Sequence, residues 1–381
     1  MSLPILPDLT TLAPAPERAA LPSLWSATVD ELSVCMGEHG VAGSAEQLFA
    51  RVQRAGGWRD DVDVDAADPA AVAVRLGIGK RGAALLTRFD VSLPRITSQA
   101  PSEDGSTRMV LATVDGHSIE AVHMPRPHVR VPRTTFCISS QVGCAMGCTF
   151  CATGTMGIVR NLSAGEIVGQ VLALMRAKGP GLGHHLNLVF MGMGEPLHNL
   201  AHVARAVEVL CDPRGLGLSP KRITVSTSGL VPRIREFAAL AVRPLLGVSI
   251  NASDDVTRSR VMPVNRAYNL AALKSTLLAY PFRPGERVLL AYVLLRGEND
   301  TDVDADRLAA FASGLPANVN LIPLNEHERT AHRAPDDDWV AAFSARLYGR
   351  LKADGFAGVL TVRNNRGRDI DGACGQLVTR G

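Results

Sequence analysis

The sequence predicts an α/β protein: an incomplete (βα)6 barrel, open along one side, with a small N-terminal helical domain and a β-hairpin leading into the barrel. Three observations predict it. From Thr134 onward, strand-like and helix-like runs alternate six times, which is the pattern of parallel βα units rather than of a sandwich. Six units are too few to complete an eight-stranded barrel. Ahead of them, Thr28 to about Phe89 shows helical periodicity broken by Gly-rich or acidic stretches.

Taken in order, residues 1–22 form a Pro-rich, flexible leader with few backbone donors for regular structure. Residues 23–100 form the helical accessory domain. Within it, Leu76-Gly77-Ile78-Gly79-Lys80 suits either a phosphate-facing helical turn or a plain interhelical corner, so this domain is a candidate RNA-contacting element. Residues 91–105 are polar and Pro/Ser-rich and mark a boundary. Residues 101–381 form the core. STRMVLATVDGHSIEAVHM alternates apolar and polar residues around Asp115-Gly116, the signal of a two-residue hairpin, and its second strand carries Glu120. PRPHVRVPR then offers Arg126, Arg130 and Arg133 with no acidic residue, readable as a phosphate-facing strip or as a solvated connector. The barrel strands are TTFCIS, LNLVFMG, RITVSTS, PLLGVSI, RVLLAYVLL and VNLIPL. Ser163 to Glu166 opens the first helix with a capping box.

Composition narrows the function classes. With 46% hydrophobic and 20% charged residues the chain reads as globular, and a net charge of +3 confines any RNA site to a local patch. Aromatics at 4% argue against a base-stacking platform. Seven cysteines, most of them clustered, point to a reducing cytoplasmic interior, and no apolar run is long enough to span a membrane.

The cluster is Cys137, Cys144, Cys148 and Cys151 in TFCISSQVGCAMGCTFC. The last three, C-x-x-x-C-x-x-C, can converge on one soft metal centre. A structural zinc wants four ligands, whereas a [4Fe-4S] cluster on three thiolates keeps one iron open. Completion of a zinc knuckle by Cys137 is the competing reading. The spacing resembles the radical S-adenosylmethionine (SAM) superfamily, in which the open iron chelates SAM and an electron from the cluster breaks its sulfonium bond.

Reacting groups of a parallel βα barrel gather at the C-terminal ends of its strands. There the sequence offers Gly194-Glu195, Ser226, Ser249-Ile250-Asn251 and Asn325, small or polar where buried strands would otherwise be apolar. Each alone is a common cap or turn residue; together they suggest a SAM cradle.

CISSQVGCAMGCTFCATG, MGMGEPLHN, ITVSTSG, VMPVNR and DIDGACGQL, in this order, resemble the RlmN and Cfr type of radical-SAM RNA adenine methyltransferase over about Ser106 to Leu377. The resemblance implies a methyl group added to carbon 2 or carbon 8 of an adenine, in 23S rRNA foremost and otherwise in tRNA, with a flavodoxin- or ferredoxin-like electron donor. It implies that Cys374 carries the methyl group, that Cys137 releases the RNA adduct by forming a disulfide with Cys374, and that Glu120 removes the proton. The bland alternative for both cysteines is a small buried hydrophobe; the Gly/Asp-rich surroundings of Cys374, with Arg363, Arg366 and Arg368 nearby, do not suit one. Cys35 and Cys211 lie in helical patterns and read as inert. Two features depart from the family: the N-terminal helical region, and Asn251 in place of a His. The competing functions are a radical-SAM methyltransferase of a non-RNA substrate and a noncatalytic zinc-bearing RNA-binding protein.

Overall fold

A computed structural model describes residues 21–53, 68–126, 132–179, 185–363 and 366–378. Expectations for residues 1–20 and Arg130 lie outside these. Four helices come first: α1 (Val29–Glu38), α2 (Ala45–Gln53), α3 (Pro69–Leu76) and α4 (Gly79–Leu86). α1 begins at a capping box in which Thr28 and Glu31 satisfy each other's backbone amides. α3 meets α4 at a corner where Gly77 and Gly79 both take positive φ, 63° and 64°.

One sheet of ten strands organises the rest. β1 (Arg95–Pro101), β2 (Thr107–Ala112), β3 (Ser118–Arg126) and β4 (Arg133–Cys137) pair antiparallel in succession. The short strands β5 (Gln141–Cys144) and β6 (Gly157–Asn161) form a separate ribbon in the loop after β4. The chain then winds through α5 (Ala164–Lys178), β7 (Leu186–Phe190), α6 (Leu200–Cys211), β8 (Ile223–Thr227), α7 (Val231–Ala238), β9 (Leu245–Ser249), α8 (Asp255–Val261) and α9 (Leu270–Leu278). It ends with β10 (Val288–Leu294), α10 (Asp302–Ala312), β11 (Ala317–Pro323), α11 (Asp337–Ala353) and β12 (Leu360–Val362). The order β4-β7-β8-β9-β10-β11-β12 is parallel throughout, and β1 and β12 are opposite edges. The barrel is therefore open, as the six-unit pattern predicts.

Some details differ from the sequence pattern. The 91–105 segment contains the edge strand β1, whose residues are exposed or half-buried throughout; with no buried face it carries no alternating signal. The hairpin loop is wider than two residues: the Thr113 amide donates to His117 O at 2.7 Å, enclosing Val114-Asp115-Gly116 with Gly116 at φ 84°. β12 adds a seventh parallel strand, and β5, β6 and α8 are too short or too polar to show a periodicity.

The helical region is stitched to the barrel rather than appended. Trp25 is fully buried; its Nε1 donates to Ser92 O at 2.9 Å and its carbonyl accepts from Gln53 Nε2 at 2.8 Å. On the barrel side, Arg205 of α6 donates to Ser26 O at 2.9 Å.

A second tie holds the hairpin loop. Buried Arg160 on β6 grips Asp115 through Nε and Nη2 at 2.7 and 2.8 Å, and reaches Glu166 in the α5 capping box at 2.8 Å. This guanidinium holds the Asp115 carboxyl well below the usual carboxylate range. A depressed carboxyl contributes stability above the ordinary value of about 4 and loses it as pH falls through the folded value. Arg160→Met is expected to cost about 3 kcal/mol at pH 7. The difference from wild type should narrow below about pH 4; paired denaturant melts at pH 7 and pH 3 measure both.

Candidate functional site

The loop from β4 to β6 is built to present three sulfurs. Gly143 takes φ 75°, and a Cβ there would stand 2.0 Å from Gly157 O, so only glycine lets the ribbon close. The tip beyond it is braced by α8 and by the segment after β11. Thr149 N donates to Val261 O at 3.0 Å, Thr149 Oγ1 contacts His332 Nε2 at 2.7 Å, and His327 Nε2 contacts Phe150 O at 3.1 Å. Cys144 is buried, and Cys148 and Cys151 half-buried. All three line one cavity of about 170 Å3 at the C-terminal ends of the parallel strands.

Three thiols on one wall of this cavity suit a [4Fe-4S] cluster, which takes three thiolates and keeps one iron open toward the cavity. Burial pushes all three thiols above the ordinary range, with neighbouring cluster cysteines adding to it at Cys144 and Cys148 and Cys374 at Cys151. Only a bound cationic centre makes three thiolates there affordable.

The opposite wall supplies polar atoms. Glu195 is buried with Oε1 accepting from Leu197 N at 3.0 Å and Oε2 from Ser228 N at 2.7 Å; burial raises its carboxyl. Gly194, at φ 100°, lies so close to Gln141 that an added Cβ would stand 2.6 Å from its side chain. Ser226, Ser249, Asn251 and Asn325 line the cavity. Asn325 Oδ1 is buried there without a hydrogen-bond partner among the described residues, as expected of a group that receives a ligand. Ile250 differs: it is absent from the lining and only 1% exposed, its amide donating to Ala291 O at 2.8 Å and its carbonyl accepting from Arg258 Nε at 2.9 Å. Asn251 takes φ 53° and spends its amide internally, accepting from Val293 N at 2.9 Å and contacting Met262 Sδ at 3.2 Å.

Arg258 carries no periodic or motif signal that marks it as a site residue. It is fully buried on α8 and donates to Ile250 O, Asn265 Oδ1, Ser228 O and Ser249 O at 2.9, 2.9, 2.7 and 3.1 Å. One guanidinium thus ties the ends of β8 and β9 together. Burial draws it down to about 10, opposed first by Cys148 and then by Asp255.

Cys374 is fastened from several sides. Asn325 Nδ2 donates to its carbonyl at 2.9 Å, the Ala152 amide to Gly375 O at 2.7 Å, Gln376 Nε2 to Glu326 O at 3.0 Å, and Thr153 Oγ1 to Leu377 O at 2.5 Å. It lines the large cavity and also a second one of about 10 Å3, which it shares with buried Cys137. Burial, then Cys374, pushes the Cys137 thiol upward. Glu120 lines neither cavity. It is 1% exposed, with Oε1 on Arg108 at 2.7 Å and Oε2 accepting from Val378 N at 3.0 Å, and burial raises its carboxyl.

An open parallel βα barrel with three thiols on the loop after its first strand, facing a polar rim, defines a radical-SAM enzyme. Residues 138–309 match the radical SAM superfamily. The chain is 44% identical over 288 residues to the dual-specificity RNA methyltransferase RlmN of Syntrophotalea carbinolica, covering 75% of this chain and 73% of that protein. It is 42% identical to the protein of the same name from Anaeromyxobacter sp., covering 97% and 93%. A crystal structure of a radical SAM methyltransferase from Sphaerobacter thermophilus superposes with a TM-score of 0.81 at 38% identity, covering 93% and 99%. The chain belongs to the RlmN family of radical-SAM RNA methyltransferases. Its cofactors are a [4Fe-4S] cluster and SAM. No helix among the described residues is long and apolar enough to cross a membrane.

Proposed function

We infer that the protein methylates an adenine carbon of RNA, carbon 2 or carbon 8, by way of a methyl group carried on Cys374. The observation that carries this reading is that Cys374 lines both cavities, the one holding Cys144, Cys148 and Cys151 and the one holding Cys137. Cys144, Cys148 and Cys151 would hold the cluster, and Gly194, Glu195, Ser226, Ser249, Asn251 and Asn325 would cradle SAM, with Ile250 behind them. When bound, the cluster supplies the electron that splits SAM into the radical needed to activate an S-methyl group, since the adenine carbons are not nucleophiles.

The chain's own residues do the rest. The Cys374 sulfur attacks the methyl carbon of one SAM; a C–S bond forms, the sulfonium C–S bond breaks, and S-adenosylhomocysteine leaves with the electron pair. After the methyl carbon has joined the base, the Cys137 thiolate attacks Cys374 Sγ. An S–S bond forms, the S–C bond breaks with its pair going to the methylene carbon, which takes up a proton to become the methyl group, and the unpaired electron left by the radical addition returns to the one-electron carrier that supplied it. Glu120 takes the proton from the modified carbon, its buried carboxyl being more basic than an exposed one. This step requires Val378 N to release Oε2. An external thiol then reduces the disulfide.

RNA approach is supported by Arg126 and Arg133, exposed and directly opposite one another on β3 and β4. Like charges so paired are unfavourable until an anion bridges them. We assign 23S rRNA as the first substrate and tRNA as the second, a flavodoxin- or ferredoxin-like donor, and a cytoplasmic location. The division into a leader (1–22), a helical accessory domain with an RNA-contacting role (23–100) and a catalytic core (101–381) belongs to the same reading.

The test is incubation of reconstituted protein with SAM, reductant and either 23S rRNA fragments or tRNA, followed by nucleoside mass spectrometry. Methyladenosine modified at carbon is expected; its absence with both RNAs sinks the reading. Cys137→Ala is expected to accumulate a covalent RNA–protein adduct on denaturing gels, at least tenfold above wild type. No adduct alongside full turnover would remove Cys137 from the release step.

A further inference from the structure

Outside the barrel, the last turn of α1 brings three metal-ligating side chains together. Cys35-Met36-Gly37-Glu38-His39 spaces them at i, i+3 and i+4, which puts all three on one face of the helix end. One donor atom from each, the Cys35 sulfur, a Glu38 carboxylate oxygen and a His39 ring nitrogen, lies within 4.8 Å of the other two. His39 Nδ1 stands 4.0 Å from Cys35 Sγ and 2.9 Å from Cys35 O, so the ring is folded over that turn. Cys35 and His39 are half-buried and Glu38 is exposed. The helical pattern reads Cys35 as inert; the fold gives it two neighbours that bind metals.

The same turn has an independent preference for a cation. The carbonyl end of a helix carries partial negative charge and favours positive groups. The last turn of α1 instead holds Glu38 and no basic residue, and the Glu38 side chain makes no hydrogen bond or ion pair among the described residues. Arg81 of α4 donates to Gly40 O at 3.3 Å, beyond the helix. Cys35 and Glu38 also line a cleft of about 790 Å3, together with Arg88 and with Ser163, His202 and Arg205 of the barrel helices α5 and α6 and their caps. An ion held there is open to solvent on the cleft side.

We propose that Cys35, Glu38 and His39 bind one zinc ion at the wall of this cleft. Thiolate, imidazole and carboxylate are all zinc ligands, and the sulfur turns the site away from magnesium and calcium. In a tetrahedral zinc site a ligating sulfur and nitrogen are about 3.6 Å apart. The 4.0 Å between Sγ and Nδ1 closes with a small side-chain rotation, in which Nδ1 exchanges the Cys35 carbonyl for the ion. On binding, the Cys35 thiol gives its proton to solvent and no electron is transferred. Three protein ligands leave the fourth place to water or to a donor group entering the cleft, the arrangement of an accessible zinc rather than a closed structural one. The site does not depend on the methyl transfer assigned to Cys374.

The experiment uses the full chain with its cluster reconstituted, so that the cluster thiols are occupied. The protein is dialysed against zinc buffered by a weak chelator, and zinc and iron per chain are measured together, iron reporting that the cluster is intact. Wild type, Cys35→Ser, Glu38→Gln and His39→Ala are compared, with Cys211→Ser as the control for a half-buried thiol elsewhere. Wild type and Cys211→Ser are expected to hold one zinc per chain more than Cys35→Ser at equal iron. Glu38→Gln and His39→Ala should each weaken that zinc about tenfold or more. With cobalt in place of zinc, the difference spectrum between wild type and Cys35→Ser should show the absorption of a thiolate-bound ion. Equal zinc in wild type and Cys35→Ser overturns the proposal. So does a zinc lost in Cys35→Ser but held at wild-type strength by both Glu38→Gln and His39→Ala, because that is a single thiol and not a site.

Discussion

Replacing Cys374 by alanine is expected to abolish methyl transfer to RNA while leaving reductive SAM cleavage intact. The reason lies in which contacts the change removes. The segment is held by backbone carbonyls of Cys374, Gly375 and Leu377 and by the Gln376 side chain, none of which involves the Cys374 sulfur. Cys374→Ala therefore removes the methyl carrier without loosening its mounting or the cluster thiols opposite. Two readouts separate the outcomes: nucleoside mass spectrometry for methyladenosine, and chromatography for 5'-deoxyadenosine. Residual carbon methylation above about one part in a thousand of wild type would mean the methyl group travels by another route.

The second large effect concerns Arg258. Arg258→Met leaves three backbone carbonyls and the Asn265 amide oxygen without their buried donor. Each such acceptor costs about 1–3 kcal/mol, and partial relaxation leaves a total of about 3–5 kcal/mol. The loss is placed where it matters most, because those carbonyls end β8 and β9, the strands that carry Ser226 and Ser249. SAM affinity is expected to fall at least tenfold, measured by equilibrium dialysis on folded protein, together with an earlier denaturation midpoint. Arg258→Lys can reach at most a few of the four oxygens and should restore little. An unchanged midpoint would show that the rim holds itself.

Much of this architecture was legible in the sequence because parallel strands and amphipathic helices repeat their signals. All six parallel strands written from the pattern are present, and the Ser163–Glu166 capping box is formed as read. The three clustered cysteines were legible from spacing alone. Less visible were features whose partners lie far away in the chain. Arg258 looks like any surface arginine of a short polar helix until the ends of two other strands are brought to it. The brace from His327 and His332 onto the Thr149–Phe150 tip spans about 180 residues, and neither histidine stands in a motif. Ile250 is grouped with the cradle by position, yet it is buried outside the cavity, just past the end of β9, while its neighbours Ser249 and Asn251 line it. Glu120 was legible as a carboxylate ahead of the first barrel strand, but nothing in the sequence announces that Arg108 and the amide of Val378 occupy it.

The fastening of residues 374–377 has a mechanical consequence. With four successive residues anchored to the barrel, the chain there cannot swing its cysteine between distant stations. What can move freely is one torsion, the χ1 of Cys374, with wells 120° apart and a barrier crossed in nanoseconds or faster. The two chambers are then served by a switch one bond long, and the protein commutes between loading and unloading its carbon without carrying any backbone along.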